Sequence, residues 1–201
     1  EPLGNAMHTA MEGDLTAQTV MITGCGPIGI MAVPIAKHAG AELVVAMDVN
    51  EYRLDMAKRL GADVLINPMK EDPIEVVRSH TRGYGVDVVM EMSGNPTAIR
   101  QSLKSARNGA RVSLLGLPSK PMEIDLGADV VMRGLVLKGI TGRKMWKTWY
   151  QVRSMLRAGL ADRLKPLITH EMPLESVAEA MELMGAGKCG KVVLNPEMAA
   201  K

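Results

Sequence analysis

The hydrophobic residues of this chain fall into short apolar runs, separated by segments in which apolar positions recur every three or four residues. Such runs are typical of buried strands, and the spacing between them is typical of helices that bury one face. The runs that predict strands are residues 19–23, 43–47, 64–66, 86–92, 111–115 and 135–140. Strands that alternate with helices in this way form a parallel sheet with right-handed crossovers. The pattern therefore predicts an α/β fold with a doubly wound, parallel, six-stranded sheet.

The pattern changes after the sixth run. Residues 144–158 predict one long helix with a basic, solvated face, and we expect its apolar positions to be core: Met145, Trp149, Val152 and Leu156. Beyond it, residues 167–171, 174–184 and 190–194 predict a strand, a helix and a strand. We therefore expect a C-terminal strand-helix-strand appendage on the sheet domain.

The first strand leads into a glycine-rich segment, Gly24-Cys-Gly26-Pro27-Ile28-Gly29, and then into a helix. In a dinucleotide-binding fingerprint, the first glycine permits a tight turn and the second lets the backbone approach a pyrophosphate. The third glycine lets the helix pack close to the strand. The helix then presents its positive dipole end to the phosphates. The segment therefore predicts the phosphate site of a Rossmann domain, although a generic turn between strand and helix is the simpler alternative.

An acidic residue at the end of the second strand strengthens this interpretation. Asp48 follows Gly29 by nineteen positions, and an acid about 20 residues after the glycines holds the adenosine ribose of NAD. Its carboxylate repels the 2′-phosphate of NADP. Arg53 lies close in sequence and is able to accept such a phosphate, but the acid favours NAD. Asp48 as a simple helix-capping acid, and a methyltransferase with a similar loop, are the remaining alternatives.

Charge and composition exclude several classes of partner. The net charge is +2 without a long basic run, which argues against nucleic acid. No segment approaches the ~20 continuous apolar residues of a membrane span. Cys25 and Cys189 match no metal or disulfide spacing, so we expect free thiols in a reducing, cytoplasmic compartment. No metal site is predicted, because paired ligand spacing is absent among the histidines, which we expect in surface or capping roles: His8, His38, His80 and His170.

Two further features of the sequence are unusual. The chain has no Phe and 17 Met, and Met is the flexible apolar residue that best fills irregular gaps. We hypothesise that Met stands at core positions where Phe belongs. The chain also begins at Glu1 rather than Met, so we expect an excerpt of a longer protein.

In the fourth strand we expect Glu91 to be a buried, hydrogen-bonded group.

Five segments of the chain are distinctive: Ile22-Thr-Gly-Cys-Gly-Pro, Asp48-Val-Asn-Glu-Tyr-Arg, Glu91-Met-Ser-Gly-Asn-Pro, Leu114-Leu-Gly-Leu-Pro and Gly142-Arg-Lys-Met-Trp-Lys-Thr-Trp. With these segments the chain resembles the zinc-dependent medium-chain dehydrogenases, and most closely their threonine-oxidising members. The resemblance implies oxidation of the secondary hydroxyl of L-threonine to 2-amino-3-oxobutanoate, with hydride passing to NAD. A related polyol or diol dehydrogenase, or a non-catalytic NAD-binding fragment, remains open.

The resemblance also implies roles for particular residues. Ile28 contacts the cofactor beside the pyrophosphate with the glycine loop, and Asp48 and Arg53 hold the adenosine ribose. Glu1 is the one implied catalytic position, near the metal, where it tunes proton relay. The residues implied to line the nicotinamide half are Leu115, Gly116, Leu117, Ile140 and Thr141.

The resemblance finally implies how the chain is divided. Residues 1–18 are a hinge segment from a catalytic domain, residues 19–163 the NAD-binding domain, and residues 164–201 a C-terminal segment of the catalytic domain. The family's zinc ligands lie in an amino-terminal half that this chain lacks, so we expect zinc only in the parent enzyme and no activity from this chain alone. The apolar edge strand 135–140 predicts a homo-oligomer through sheet pairing.

Overall fold

The computed structural model describes residues 2–198. The strands of its main sheet are β1 (Thr19–Thr23), β2 (Leu43–Met47), β3 (Val64–Ile66), β4 (Val86–Glu91), β5 (Ala106–Leu114) and β6 (Val136–Gly139). Their order is β3-β2-β1-β4-β5-β6, and every neighbouring pair is parallel. This order confirms the predicted doubly wound sheet. β5 begins at Ala106, five residues before the predicted start, because it follows the preceding helix without a loop.

Helices cover both faces of this sheet. They are α1 (Pro2–Ala10), α2 (Gly29–His38), α3 (Glu51–Arg59), α4 (Pro73–His80) and α5 (Pro96–Ser105). Three of these helices, each of which follows a strand or a short turn, have a polar N-cap residue. Asn50 accepts hydrogen bonds from the first turn of α3, Asp72 caps α4 and Asn95 caps α5. These short connections leave the carboxyl ends of the strands open at one edge of the sheet.

The C-terminal part forms the predicted appendage. Its elements are α6 (Lys147–Met155), α7 (Ala161–Leu164), β7 (Ile168–Pro173), α8 (Val177–Gly185) and β8 (Lys191–Asn195). β7 and β8 pair in parallel as a separate two-stranded sheet. The loop before β8 contacts the start of α3, where Asn50 Nδ2 donates to Gly187 O at 3.3 Å. The appendage therefore packs beside the second strand and its helix.

Methionine fills much of the core. Five of the largest fully buried side chains are methionines: Met7, Met21, Met47, Met56 and Met90. Met7, Met56 and Met90 belong to one apolar cluster, and Met21 and Met47 belong to the other. A flexible thioether side chain adapts to both sets of neighbours. The replacement of Phe by Met stays a hypothesis, but the core position of these methionines is a structural fact.

The prediction for residues 144–158 was partly wrong. The α-helix begins at Lys147 and passes into a π-helical turn over Leu156–Leu160. Met145 is 55% exposed and Trp149 is 41% exposed, so neither is core. The spacing of the apolar residues predicted a buried helix face, but Thr148 is the one residue of α6 that is buried. Trp149 instead packs edge-on against Trp146, with ring centroids 5.2 Å apart.

The length and hydropathy of the helices bear on membrane insertion. Across residues 2–198, none of the helices combines the length and apolar character needed to cross a bilayer.

Candidate functional site

A cleft of about 500 Å³ opens at the carboxyl ends of β1, β2 and β4. Five of the predicted cofactor residues line it: Gly24, Gly26, Pro27, Asp48 and Arg53. β1 lies between β2 and β4, so the chain winds outward in opposite directions from this point. Ligands of doubly wound sheets bind at such a switch point. The fold therefore brings the glycine loop and the acidic strand end together at the expected place.

Each glycine of the loop has a distinct geometric role. Gly24 has a φ of 84°, and a Cβ there would lie 2.7 Å from the backbone nitrogen of Ser93. A Cβ on Gly29 would overlap the carbonyl oxygen of Gly24. Gly26 differs, because nothing lies within 4 Å of the position its Cβ would take. Gly24 and Gly29 are thus required by the fold itself, whereas Gly26 leaves open space at the cleft.

The start of α2 faces this loop. Ile30 N donates to Gly26 O at 3.0 Å and closes the first turn of the helix. Among residues 2–198, no side chain caps this helix start. An uncapped helix N-terminus attracts an anion through its free N–H groups and its dipole. Ile28 is half-buried and packs against the core beside the loop, and its side chain is not part of the cleft lining.

Asp48 is held firmly on the wall of the cleft. Its Oδ2 accepts a hydrogen bond from Cys25 N at 2.8 Å, and its Oδ1 accepts one from Asn50 N at 2.9 Å. The Arg53 guanidinium lies 3.8 Å from Oδ2. A carboxylate fixed in this way has lone pairs left to accept hydroxyl hydrogen bonds from a ligand. The side chain is only 5% exposed, so its orientation is set before any ligand arrives.

Other residues of the cleft were not identified from the sequence. Pro68 and Met69 follow β3, and a larger group belongs to the β4–α5 connection and the first turns of α5: Ser93, Asn95, Thr97, Ala98 and Gln101. The sequence ends the fourth strand just before Ser93 and Asn95, which puts them at the edge where ligands of such a sheet bind, but it gave neither residue a specific contact. Thr97 and Gln101 are four residues apart and share one face of α5, but the strand order decides which neighbour that face meets.

The predicted nicotinamide residues lie at the same sheet edge but outside the cleft lining. Leu115 N donates to Glu91 O at 2.9 Å, and Ile140 N donates to Leu114 O at 2.9 Å. Leu117 is 89% exposed, whereas Ile140 is buried. Gly116 and Thr141 lie next to them in the same turns. These residues therefore lie at the carboxyl edge of the sheet, and their ligand role stays a prediction.

Three further residues singled out in the sequence remain: Cys25, His8 and Glu1. Cys25 is buried, and burial raises the pKa of its thiol, which fits a small packing residue. His8 was expected in a surface or capping role, and the surface placement was wrong. It is buried, with Nδ1 2.8 Å from Gly142 O and Nε2 3.2 Å from Glu12 Oε1. Glu1 lies outside the described residues. Within residues 2–198, no group of three or more His, Cys, Asp and Glu side chains is arranged to hold a metal ion.

This fold and cleft define a nucleotide-binding α/β domain, and a comparison with known families identifies the kind of enzyme it belongs to. The family model described as zinc-binding dehydrogenase matches residues 27–158. The chain therefore belongs to the zinc-binding dehydrogenases. It is 74% identical over 200 residues to the L-threonine 3-dehydrogenase of Symbiobacterium thermophilum, and the match covers 100% of this chain and 57% of that protein. The chain thus spans little more than half the length of this relative.

Solved structures show the same fold. An alcohol dehydrogenase from Thermotoga maritima superposes with a TM-score of 0.87 at 28% identity, over 97% of this chain and 55% of that one. The 2R,3R-butanediol dehydrogenase from Bacillus subtilis superposes with a TM-score of 0.85 at 29% identity, over 98% of this chain and 56% of that one. The predicted resemblance to the medium-chain dehydrogenases is confirmed.

Proposed function

We propose that this chain is the NAD-binding part of a dehydrogenase that oxidises L-threonine to 2-amino-3-oxobutanoate. The observation that carries the proposal is the meeting of Gly26 and Asp48 in one cleft. Gly26 leaves room for a pyrophosphate beside the uncapped start of α2. Asp48 presents a fixed carboxylate at the end of β2, the strand next to β1. The choice of threonine is supported by the 74% identity to the Symbiobacterium protein of that name.

The residues fit the cofactor in defined roles. Backbone N–H groups at the start of α2 hold the pyrophosphate, and the Asp48 carboxylate accepts hydrogen bonds from the adenosine ribose hydroxyls. Bound NAD supplies the nicotinamide ring that accepts a hydride. The same carboxylate repels the 2′-phosphate of NADP, although Arg53 stands near enough to weaken that preference. These residues bind and orient the cofactor, and the chemistry of the alcohol depends on other groups.

The remaining roles belong to the same proposal. Leu115, Gly116, Leu117, Ile140 and Thr141 line the nicotinamide half, and Glu1 tunes proton relay in the complete enzyme. Residues 1–18 form the hinge segment, 19–163 the NAD-binding domain and 164–201 a segment that packs with the catalytic domain. Within residues 2–198, no three His, Cys, Asp or Glu side chains lie together in a way that could hold a metal ion, so zinc does not fit this part of the chain.

We also propose a cytoplasmic protein that assembles through its sheet edge. Cys25 and Cys189 are both unpaired thiols, in keeping with a reducing compartment. β6 is the last strand of the sheet, and Val136 on it is 56% exposed. An exposed apolar edge strand pairs readily with a second copy.

Calorimetric titration of the unaltered chain with NAD and NADP tests the cofactor part. We expect NAD to bind and NADP to bind more weakly, by about 10-fold or more, because the 2′-phosphate meets the Asp48 carboxylate. Failure of both nucleotides to bind would refute a working cofactor site. Equal binding would refute the NAD preference.

Substrate choice is tested separately on the full-length protein. A diol dehydrogenase is the second candidate, supported by the superposition on the butanediol enzyme. Reduction of NAD is followed with L-threonine and with butane-2,3-diol at matched concentrations. A higher kcat/KM for L-threonine supports the proposal, and a higher value for the diol overturns it. Nucleotide binding without turnover of either alcohol would favour a non-catalytic NAD-binding protein.

A further inference from the structure

Glu91 ends β4 beneath the cleft, and it is fully buried. Its Oε1 accepts hydrogen bonds from Ser93 N at 2.9 Å, from Gly94 N at 3.2 Å and from Thr23 Oγ1 at 3.4 Å. The Ser93 hydroxyl is a further close donor to the same oxygen. Burial raises the pKa of Glu91, and these hydrogen bonds oppose the shift. Burying a carboxyl group costs folding free energy unless the group is fully hydrogen-bonded, so a buried carboxyl at this place calls for a physical explanation.

In every hydrogen bond to the Glu91 side chain, the carboxyl group is the acceptor and its neighbour is the donor. The Ser93 hydroxyl accepts from Asn95 N at 3.0 Å, which leaves its proton free to donate to Glu91. The Thr23 hydroxyl accepts from Ser102 Oγ at 3.2 Å and likewise donates to Glu91. The polar groups around the carboxyl are therefore donors. Oε2 also accepts from Gly94 N, at 3.2 Å. An amide in place of the carboxyl would bring an NH₂ group against one of these donors, so the site is built for two acceptor oxygens.

The same residue also joins the next strand. Its main-chain oxygen accepts from Leu115 N at 2.9 Å and from Gly116 N at 3.1 Å. A Cβ on Gly116 would lie 2.6 Å from Glu91 Oε2, so the backbone of this turn rests directly on the carboxyl. Gly94 has a φ of 66°, and a Cβ there would lie 2.5 Å from Leu117 O. The turns 93–95 and 115–117 therefore pack against each other over one side chain.

The network spans the ends of three adjacent strands. Thr23 ends β1, Glu91 ends β4 and the 115–117 turn follows β5, in the order β1-β4-β5. Ser93 and Asn95 line the cleft, whereas Thr23 and Glu91 do not. A change at Glu91 is therefore transmitted to the ligand through Ser93, whose hydroxyl donates to Glu91, and through the backbone of the two turns.

We propose that Glu91 is a positioning residue that sets the distance between turn 93–95 and turn 115–117. The first turn lines the adenosine side of the cleft, and the second carries residues assigned to the nicotinamide side, so the inference rests on the proposed function. Glu91 does not touch the cofactor. It allows one dinucleotide to contact both turns at the same time, which a mononucleotide held near Asp48 does not need to do.

The test compares NAD with AMP in the unaltered chain and in Glu91→Gln. Dissociation constants come from calorimetry and melting temperatures from thermal unfolding. We expect the affinity for NAD to fall by about 10-fold and that for AMP by about 2-fold or less, because only NAD spans both turns. A general loss of folded structure would weaken both ligands by the same factor. The ratio of the two affinities is thus a measure that a merely structural role does not change.

Asp87 provides a matched control on the same strand. It lies near the opposite end of β4, where its Oδ2 accepts from Thr19 N at 2.8 Å, far from the cleft residues. We expect Asp87→Asn to lower the melting temperature and to leave both affinities unchanged. If Glu91→Gln does not fold, Thr23→Val decides, because it removes one donor to Glu91 from a buried residue outside the cleft. We expect this variant to weaken NAD selectively by about 3-fold.

The outcomes separate the two levels of the proposal. Absence of NAD binding to the unaltered chain would overturn the proposed function and this inference with it. Normal NAD binding to the unaltered chain, combined with an unchanged ratio of NAD to AMP affinity in the variants, would overturn the role of Glu91 alone. A selective loss of NAD affinity in the Glu91 or Thr23 variant, but not in Asp87→Asn, supports it.

Discussion

The Asp48 carboxylate accepts a hydrogen bond from the backbone N–H of Cys25 across 2.8 Å. This bond joins the end of β2 to the middle of the glycine loop, between Gly24 and Gly26. The two parts of the fingerprint are thus one hydrogen-bonded unit, and a change in either part affects the other.

Replacement of Asp48 by alanine should weaken NAD binding and relax cofactor choice. A hydrogen bond to a charged group contributes about 1.5–3 kcal/mol, so the loss should be about 10- to 100-fold. NADP should lose less, because Arg53 remains to pair with the 2′-phosphate. Calorimetry with both nucleotides measures the ratio. A ratio equal to that of the unaltered chain would show that Asp48 does not discriminate.

The control for Asp48 is Asp63→Ala. Asp63 Oδ2 accepts from Val44 N at 2.7 Å and pairs with Lys37 Nζ at 3.0 Å, at the opposite edge of the sheet. Like Asp48, Asp63 is a carboxylate that accepts a hydrogen bond from a backbone N–H of another segment. We expect Asp63→Ala to lower the melting temperature without a change in NAD affinity.

Alanine at Gly26 should mainly lower the affinity for NAD, whereas alanine at Gly29 should mainly lower the stability of the fold. Gly26→Ala places its Cβ in open space, so stability should change by about 0.5 kcal/mol or less while NAD affinity falls by about 10-fold or more. Gly29→Ala brings a methyl group onto the carbonyl oxygen of Gly24 and should cost about 1–3 kcal/mol of stability. Thermal unfolding and calorimetry separate the two effects. A strongly destabilised Gly26→Ala would contradict the open space seen at this position.

Glu12 should make stability depend on acid pH. Hydrogen bonds from Lys138 and Lys144 lower its pKa from the ordinary value of 4.5 to about 2. A carboxyl with a depressed pKa stabilises the folded state fully above its unfolded pKa, and this stabilisation is lost as the pH falls toward the folded value. The difference in melting temperature between the unaltered chain and Glu12→Gln should therefore shrink between pH 4.5 and pH 2.

The control for Glu12 is Glu75→Gln, at an exposed position on α4. We expect little change in melting temperature at any pH from this variant. A pH-independent difference for Glu12→Gln would show that its ion pairs contribute nothing to stability.

The sheet edge at β6 gives a prediction about assembly. Ile140 N points toward β5, and N–H groups alternate along a strand, so Gly139 N points away from the sheet. Gly139→Pro removes this donor and should prevent pairing with a second copy, whereas Gly139→Ala should keep it. Sedimentation at high concentration compares the two variants with the unaltered chain. An unaltered chain that remains monomeric would rule out the proposed edge contact.

The local sequence determined the sheet strands and the core of the site. Gly24, Gly26, Gly29 and the strand that precedes them form one contiguous segment, and the spacing of the three glycines was visible in the sequence alone. Asp48 was found by its spacing, because one helix and one strand of ordinary length separate it from the loop. The buried character of Glu91 was also predicted, because a polar residue within an apolar strand must be hydrogen-bonded.

Tertiary structure decided which distant groups meet. Pro68, Met69 and Gln101 joined the cleft only because the strand order places β3 and β4 on either side of the β1–β2 pair, and no local pattern contains that order. His8 reaches Gly142 across 134 positions of sequence and is buried for that reason. Trp149 has the periodicity of a core residue but is exposed, because periodicity shows which residues share a face and not whether another element covers it. Long-range packing sets these contacts, whereas spacing along the chain was sufficient for the loop and the acid.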